Sequence, residues 1–160
     1  MSTAAFAIRP MRPGDLDEVM DLEPVLFGAQ AWSRSTYEEE LSLPTRRYVV
    51  VDLEGEVAGY AGIDLAPEAT VMTVGVAPRH QRRGLGRALM GELLDYARQA
   101  GCRHVHLEVR ADDNGAQALY ASLGFIPLDL RRGYYGDGDA ITMRLRLAGP
   151  GPVGSERSRR

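Results

Sequence analysis

The chain has 160 residues, of which 44% are hydrophobic and 26% charged, with a formal net charge of -3. A chain of this size buries enough apolar surface to fold as one domain without a disulfide or a metal, and the composition excludes the disordered, collagenous and coiled-coil classes. Its 19 basic residues are all arginine, which rules out a lysine Schiff base and a phosphate-loop lysine, and the negative balance argues against general nucleic-acid binding.

Residues 1–10 lack the basic-then-apolar order of a secretion signal, and no apolar run reaches the ~18–20 residues of a membrane span, so the cytoplasm is the expected location. A short extended run at 6–9 is broken by Pro10 and Pro13. Asp15 is then placed to cap a helix whose Leu16, Val19, Met20, Glu23 and Phe27 fall on one stripe. A second helix begins at Ser33 or Ser35 and runs to about Leu43, where Pro44 stops it. Segments 48–53 and 56–64 are rich in β-branched residues and are joined through Glu54-Gly55, a hairpin signal.

A third strand at 70–76 cannot continue past Pro78. From Gly84 the apolar positions Leu85, Ala88, Leu89, Leu93, Tyr96 and Ala97 recur at helical spacing as far as Gly101. The single cysteine, Cys102, excludes an intrachain disulfide and a multi-cysteine zinc site, and is expected to be a small buried filler. Residues 104–109 alternate as a strand, with Val105, Leu107 and Val109 on one face and His104, His106 and Glu108 on the other. A helix at 114–123 ends at Gly124, and strands at 125–132 and 139–147 follow. The expected fold is therefore mixed α/β: a mostly antiparallel, twisted sheet of about seven strands with helices on both faces, filling residues 1–148 as one domain. Residues 149–160 open with Gly-Pro-Gly-Pro, lack apolar periodicity, and read as a flexible tail.

The most informative stretch runs from Val74 to Ala88, a strand passing through a basic, glycine-bearing turn into a helix. Free main-chain N–H groups at a helix start, aided by the dipole and by glycines that admit a ligand, form an anion site beside Arg82, Arg83 and Arg87. A pyrophosphate is the natural occupant; the competing reading is a solvated arginine cluster. The dinucleotide fingerprint fails because Leu89 stands where its third glycine belongs, and the ATP loop fails for want of Gly-Lys-Ser/Thr. His104, His106 and Glu108 share a strand face, but a catalytic carboxylate does not readily double as a metal ligand, so no metal is expected.

Gln81-Arg82-Arg83-Gly84-Leu85-Gly86, followed by Arg87-Ala88-Leu89, resembles the acetyl-CoA pyrophosphate loop of the GNAT N-acetyltransferase superfamily. Three later runs resemble its RimI type more narrowly: Leu107-Glu108-Val109-Arg110-Ala111, Ala118 to Phe125, and Arg131-Arg132-Gly133-Tyr134-Tyr135. Phe27 with Trp32-Ser33 resembles that group's N-terminal half. The resemblance implies acetyl-CoA as cosubstrate and the N-terminal amine of a protein, ribosomal proteins included, as acceptor. It makes Glu108 the general base and Tyr120 the general acid, and gives Val74, Gly75 and Val76 backbone bonds to the pantetheine arm and thioester. Arg82, Arg83, Gly84, Leu85, Gly86 and Arg87 would wrap the pyrophosphate, and Tyr134 and Tyr135 would clamp the acceptor or pair at a sheet edge; Trp32 is a further acceptor-side candidate, although with Phe27 it fits packing on the helix connection better. The family usually has Asn seven residues before the tyrosine; here that position is Asp113, and Asn114 either substitutes in cofactor binding or caps the helix. The chemistry is consistent: an α-amine of pKa ~7.7–8.0 must lose a proton before it attacks, and a departing thiolate needs one. Two other readings stand beside this one, a small-amine or lysine acetyltransferase and a silent acyl-CoA-sensing module. The presence of Glu108 and Tyr120 counts against the last, and the 131–135 run favours the protein acceptor.

Overall fold

The computed structural model describes residues 5–148. In chain order, β1 (Phe6–Pro10) leads through a 3-10 turn into α1 (Leu16–Phe27) and α2 (Arg34–Ser42). Three strands follow, β2 (Arg46–Leu53), β3 (Glu56–Asp64) and β4 (Ala69–Val76), then α3 (Leu85–Gln99), β5 (His104–Arg110), α4 (Asn114–Ser122), β6 (Ile126–Arg131) and β7 (Ala140–Arg146). The strands form one seven-stranded sheet in the order β1-β2-β3-β4-β5-β7-β6. Only β4 and β5 pair in parallel; every other neighbouring pair is antiparallel. The element order and the mixed sheet are those expected, with ends displaced by a residue or two. Residues 149–160 lie outside the described region, and the tail expectation with them.

Alternation along β2 explains why helices cover both faces. Val49 and Val51 join one core with Leu85, Leu89, Leu93 and Ala97 of α3, while Tyr48 and Val50 join another with Val19 of α1 and Tyr37 of α2. A strand buried on both sides reads as a continuous apolar run, as 48–51 does. Each fully buried Leu or Val adds about 1.5–3 kcal/mol of transfer free energy. Glu54 and Gly55 both have positive φ, 53° and 92°, as a tight hairpin between β2 and β3 requires.

Asp15 precedes α1 as expected, but its carboxylate does not cap the helix. It accepts from Arg9 Nη2 at 2.8 Å and from the Arg12 amide at 2.8 Å, so it ties β1 to the helix entrance. The Arg9 guanidinium holds this carboxyl below the usual range. Cys102 is partly rather than fully buried; its Sγ lies 3.4 Å from the Leu65 carbonyl, and burial raises its pKa.

The β4–β5 junction positions the site. Pairing is confined to Ala69 with Val105 and Thr70 with His106, after which the strands run on to Val76 and Arg110 unpaired with one another. Between the Gly62–Thr73 and Ile63–Val71 pairs Met72 is an extra residue on β4, a bulge that bends this part of the sheet. From Val71 onward the edge of β4 that faces β5 therefore has main-chain donors and acceptors without strand partners. Among the described residues no helix is long and apolar enough to cross a membrane.

Candidate active site

The turn after β4 leaves a run of main-chain amides without helical partners. Ala77 and Pro78 end the strand, a 3-10 turn covers Pro78–His80, and α3 starts from Gly84 at φ 81°, a left-handed conformation that glycine adopts without strain. Arg82 is also left-handed, at φ 65°. The Ala88 amide is bonded to the Gly84 carbonyl, so the amides of Leu85, Gly86 and Arg87 precede the helical ladder and have no acceptor within it. No acidic side chain occupies this first turn. Gln81 Nε2 donates to the Val76 carbonyl at 3.0 Å and staples the turn to the end of β4. Arg87 reaches across to Ser122 Oγ of α4 at 2.5 Å. Beneath the turn His80 is buried beside the ion pair of Arg79 and Glu56, its Nε2 lying 3.2 Å from Glu56. Burial and the cations Arg79 and Arg83 lower its pKa.

Gly75 lies on the opposite face of β4 from Val74 and Val76. A Cβ at Gly75 would fall 2.7 Å from Leu26 and 3.2 Å from Phe27, so the glycine lets α1 close against the strand edge. Val74 and Val76 pack on the α3 side.

On β5, Val105, Leu107 and Val109 point into the α3 core, which puts Glu108 on the α1 face, as the alternation predicted. The β5–β7 register sets Glu108 opposite Thr142, whose Oγ1 lies 2.8 Å from each carboxylate oxygen. Arg131 Nη1 stands 3.8 Å from the same carboxylate, whose side chain is 20% exposed. Tyr120 of α4 packs edge-on against Phe125 at 6.0 Å. Burial, then the charge of Asp113 and the neighbouring Tyr135, pushes its pKa up to about 12. The pKa of Tyr135 is raised by burial and by Tyr134 and Glu108. Asp113, rather than Asn114, caps α4: its Oδ1 accepts from the Ala116 amide at 3.0 Å, and Asn114 is the first helical residue.

The β6–β7 and α1–α2 connections are joined by a hydrogen bond. In the β6–β7 connection the Tyr134 and Tyr135 rings meet at 88° and 4.9 Å, with Arg131 over the first at 4.8 Å and Arg110 over the second at 5.0 Å. In the α1–α2 connection Gln30 Nε2 donates to the Tyr135 carbonyl at 2.8 Å and joins the two loops. Trp32 stacks at a tilt on Tyr37, 5.2 Å away. Among the described residues no group of three or more His, Cys, Asp or Glu side chains is arranged to hold a metal.

The family model described as "Acetyltransferase (GNAT) family" matches residues 16–125. The chain belongs to the GNAT acetyltransferase family. Within it the chain is of the RimI type: it is 41% identical to the "N-alpha-acetyltransferase RimI" of Mycobacterium tuberculosis, over 92% of this chain and 97% of that one. It is 39% identical to the "[Ribosomal protein bS18]-alanine N-acetyltransferase" of Escherichia coli, over 73% of this chain and 82% of the relative. The crystal structure of the ribosomal-protein-S18-alanine N-acetyltransferase from Escherichia coli superposes with a TM-score of 0.81 at 34% identity, covering 92% of this chain and 98% of that one. This GNAT protein is accordingly an acetyl-CoA-dependent N-acetyltransferase.

In this GNAT chain Glu108 lies on the α1 face of β5, Tyr120 packs from α4 against the α3-side core, and the 81–87 turn follows the C-terminal end of β4. Trp32 is half-buried and packs against the core that α1, α2 and β2 share. Three polar residues escaped sequence reading: Thr142, Gln30 and Glu23. Thr142 is legible only once the β5–β7 register is known. Glu23 left a signal, a carboxylate in the middle of an apolar stripe.

Proposed function

We propose that this acetyltransferase moves the acetyl group of acetyl-CoA to the N-terminal α-amine of a protein, an alanine-starting ribosomal protein of the bS18 kind being the favoured acceptor. The observation that carries this reading is Glu108 held by Thr142 beside Arg131 toward the C-terminal end of β5, with a turn of free main-chain amides following the same end of its parallel neighbour β4. The relatives named for bS18 alanine acetylation support the acceptor. On this reading the reaction runs in the cytoplasm, where newly made ribosomal proteins are found.

In the proposed mechanism the pyrophosphate lies on the amides of Leu85, Gly86 and Arg87 with Arg82 and Arg83 beside it. The pantetheine arm bonds to the free edge of β4 at Val74, Gly75 and Val76. Asp113 serves α4 as its cap, so any cofactor contact in that region falls to Asn114. The acceptor amine gives a proton to Glu108, whose carboxylate Thr142 orients. Nitrogen attacks the thioester carbon, and a main-chain N–H near Val76 stabilises the resulting oxyanion. The C–S bond then breaks, the electron pair leaves on sulfur, and Tyr120 supplies its proton. No acyl-enzyme is needed. Tyr134 and Tyr135 line the acceptor side, and Trp32 shapes it from behind through Tyr37.

The decisive assay incubates the purified chain with acetyl-CoA and short peptides that differ in their first residue, each with a free or blocked α-amine. CoA release with free alanine-starting peptides and none with blocked ones is expected. Equal turnover of blocked, lysine-containing peptides would overturn the reading. Tyr120 has its own test. The neutral phenol is the competent form, and a pKa of about 12 extends that form to high pH, so kcat should stay level well past pH 10. Tyr120→Phe should lower kcat about 10²-fold with the acetyl-CoA KM unchanged; an unchanged kcat would assign the proton to another donor.

A further inference from the structure

Glu23 of α1 is 2% exposed, yet no cation lies against its carboxylate among the described residues. Three donors converge on it instead. Oε1 accepts from the Trp32 amide at 2.7 Å, and Oε2 accepts from the hydroxyls of Tyr37 and Tyr60 at 2.6 Å each. A buried carboxylate is costly unless its lone pairs are met, and bonds to an ionised acceptor are the strong ones. Each donor comes from a different part of the fold: the α1–α2 loop, α2 and β3. Tyr60 stands directly opposite Gly75 in the β3–β4 register, so the carboxylate is referenced to the strand edge proposed to hold the thioester arm. The Tyr37 ring meets Trp32, Tyr48 and Tyr60 at 5.2, 6.0 and 6.2 Å and closes the space around the three bonds.

We propose that Glu23 is a positioning residue for the acceptor: by holding the Trp32 amide it fixes the 28–33 segment, and so lets Gln30 reach the Tyr135 carbonyl. The inference deepens the proposed function and rests on its reading of residues 28–33 and 133–135 as the acceptor walls. Burial and Glu23 raise the pKa values of Tyr37 and Tyr60 well above the ordinary phenol range, so both stay donors throughout the working pH range. Among the described residues Glu23 bonds to Trp32, Tyr37 and Tyr60 and makes no hydrogen bond or ion pair to the 81–87 turn. Its influence should therefore fall on the acceptor and spare the donor.

Glu23→Leu keeps much of the volume and removes all three acceptors. The expected result is a peptide KM raised about tenfold or more, an acetyl-CoA KM within about twofold of the parent, and faster hydrogen exchange at the Trp32 amide. Glu23→Gln should recover most of the peptide KM, because its Oε1 can still accept from Trp32 and its Nε2 can donate to the phenol oxygens. An unchanged peptide KM in Glu23→Leu, or an equal rise in both KM values, would overturn the proposal, since a merely structural role moves both. If Glu23→Leu does not fold, the Tyr37→Phe, Tyr60→Phe double variant decides: it removes the two donors that orient Oε2, and the same split between KM values is expected. Should the parent turn over no peptide, the proposed acceptor fails, while Trp32 amide exchange in parent and variant still tests the clamp.

Discussion

Glu108→Gln should lower kcat about 10²- to 10⁴-fold, the range that a positioned general base supplies. The amide keeps the shape and can still pair with Thr142 Oγ1, which now lies 2.8 Å from both carboxylate oxygens, so β5 and β7 should remain in register. What it loses is the capacity to take a proton. The deficit should be deepest below the amine pKa of ~7.7–8.0, where most of the acceptor is still ammonium, and should shrink as rising pH deprotonates the amine in solution. The acetyl-CoA KM should hardly move, because the turn proposed to hold the diphosphate is built from the β4–α3 connection and Glu108 bonds to Thr142 of β7 instead. Steady-state kinetics from pH 6 to 9 would check both statements. A fall in acetyl-CoA affinity with kcat intact would remove Glu108 from the chemistry.

Gly84→Asp should act on the opposite parameter and raise the acetyl-CoA KM about 10²-fold. A Cβ built at Gly84 meets no protein atom within 4 Å, so the substitution is not blocked by packing; it is strained by φ +81° and projects into the space beside the free amides. There it would set a carboxylate against a diphosphate. Two unit charges ~4 Å apart repel by about 4 kcal/mol at an effective dielectric of 20, which solvent screening reduces toward the value expected here. The peptide KM and the circular dichroism spectrum should be those of the parent. Normal acetyl-CoA affinity in a folded variant would refute the assignment of this turn to the diphosphate. Together the two variants separate donor from acceptor: one should lose turnover, the other saturation.

Much of this arrangement was legible in the sequence because it is written at short range. The stripe Leu85, Leu89, Leu93 and Ala97 announces α3, and Pro78 with Gly84 brackets the turn before it. The alternation from His104 to Val109 is enough to turn Glu108 away from the α3 core. What escaped depends on partners far apart in the chain. Thr142 meets Glu108 across 34 positions, and Gln30 meets Tyr135 across 105. Asp15 looked like a helix cap because its spacing allows that role, but the Arg9 guanidinium offered a stronger partner. At α4 the competition ran the other way, and Asp113 took the cap that Asn114 could have supplied. Nor does local pattern reveal that β4 and β5 pair over so short a stretch, since each reads as an ordinary strand.

That short pairing has an evolutionary corollary. On the proposed reading, which gives the coenzyme residues 81–87 and the client's first residues the two connections at 28–33 and 132–139, mutations in those connections can drift toward a new client while 81–87 is left alone. Selection can thus retune whom the enzyme serves without renegotiating what it spends.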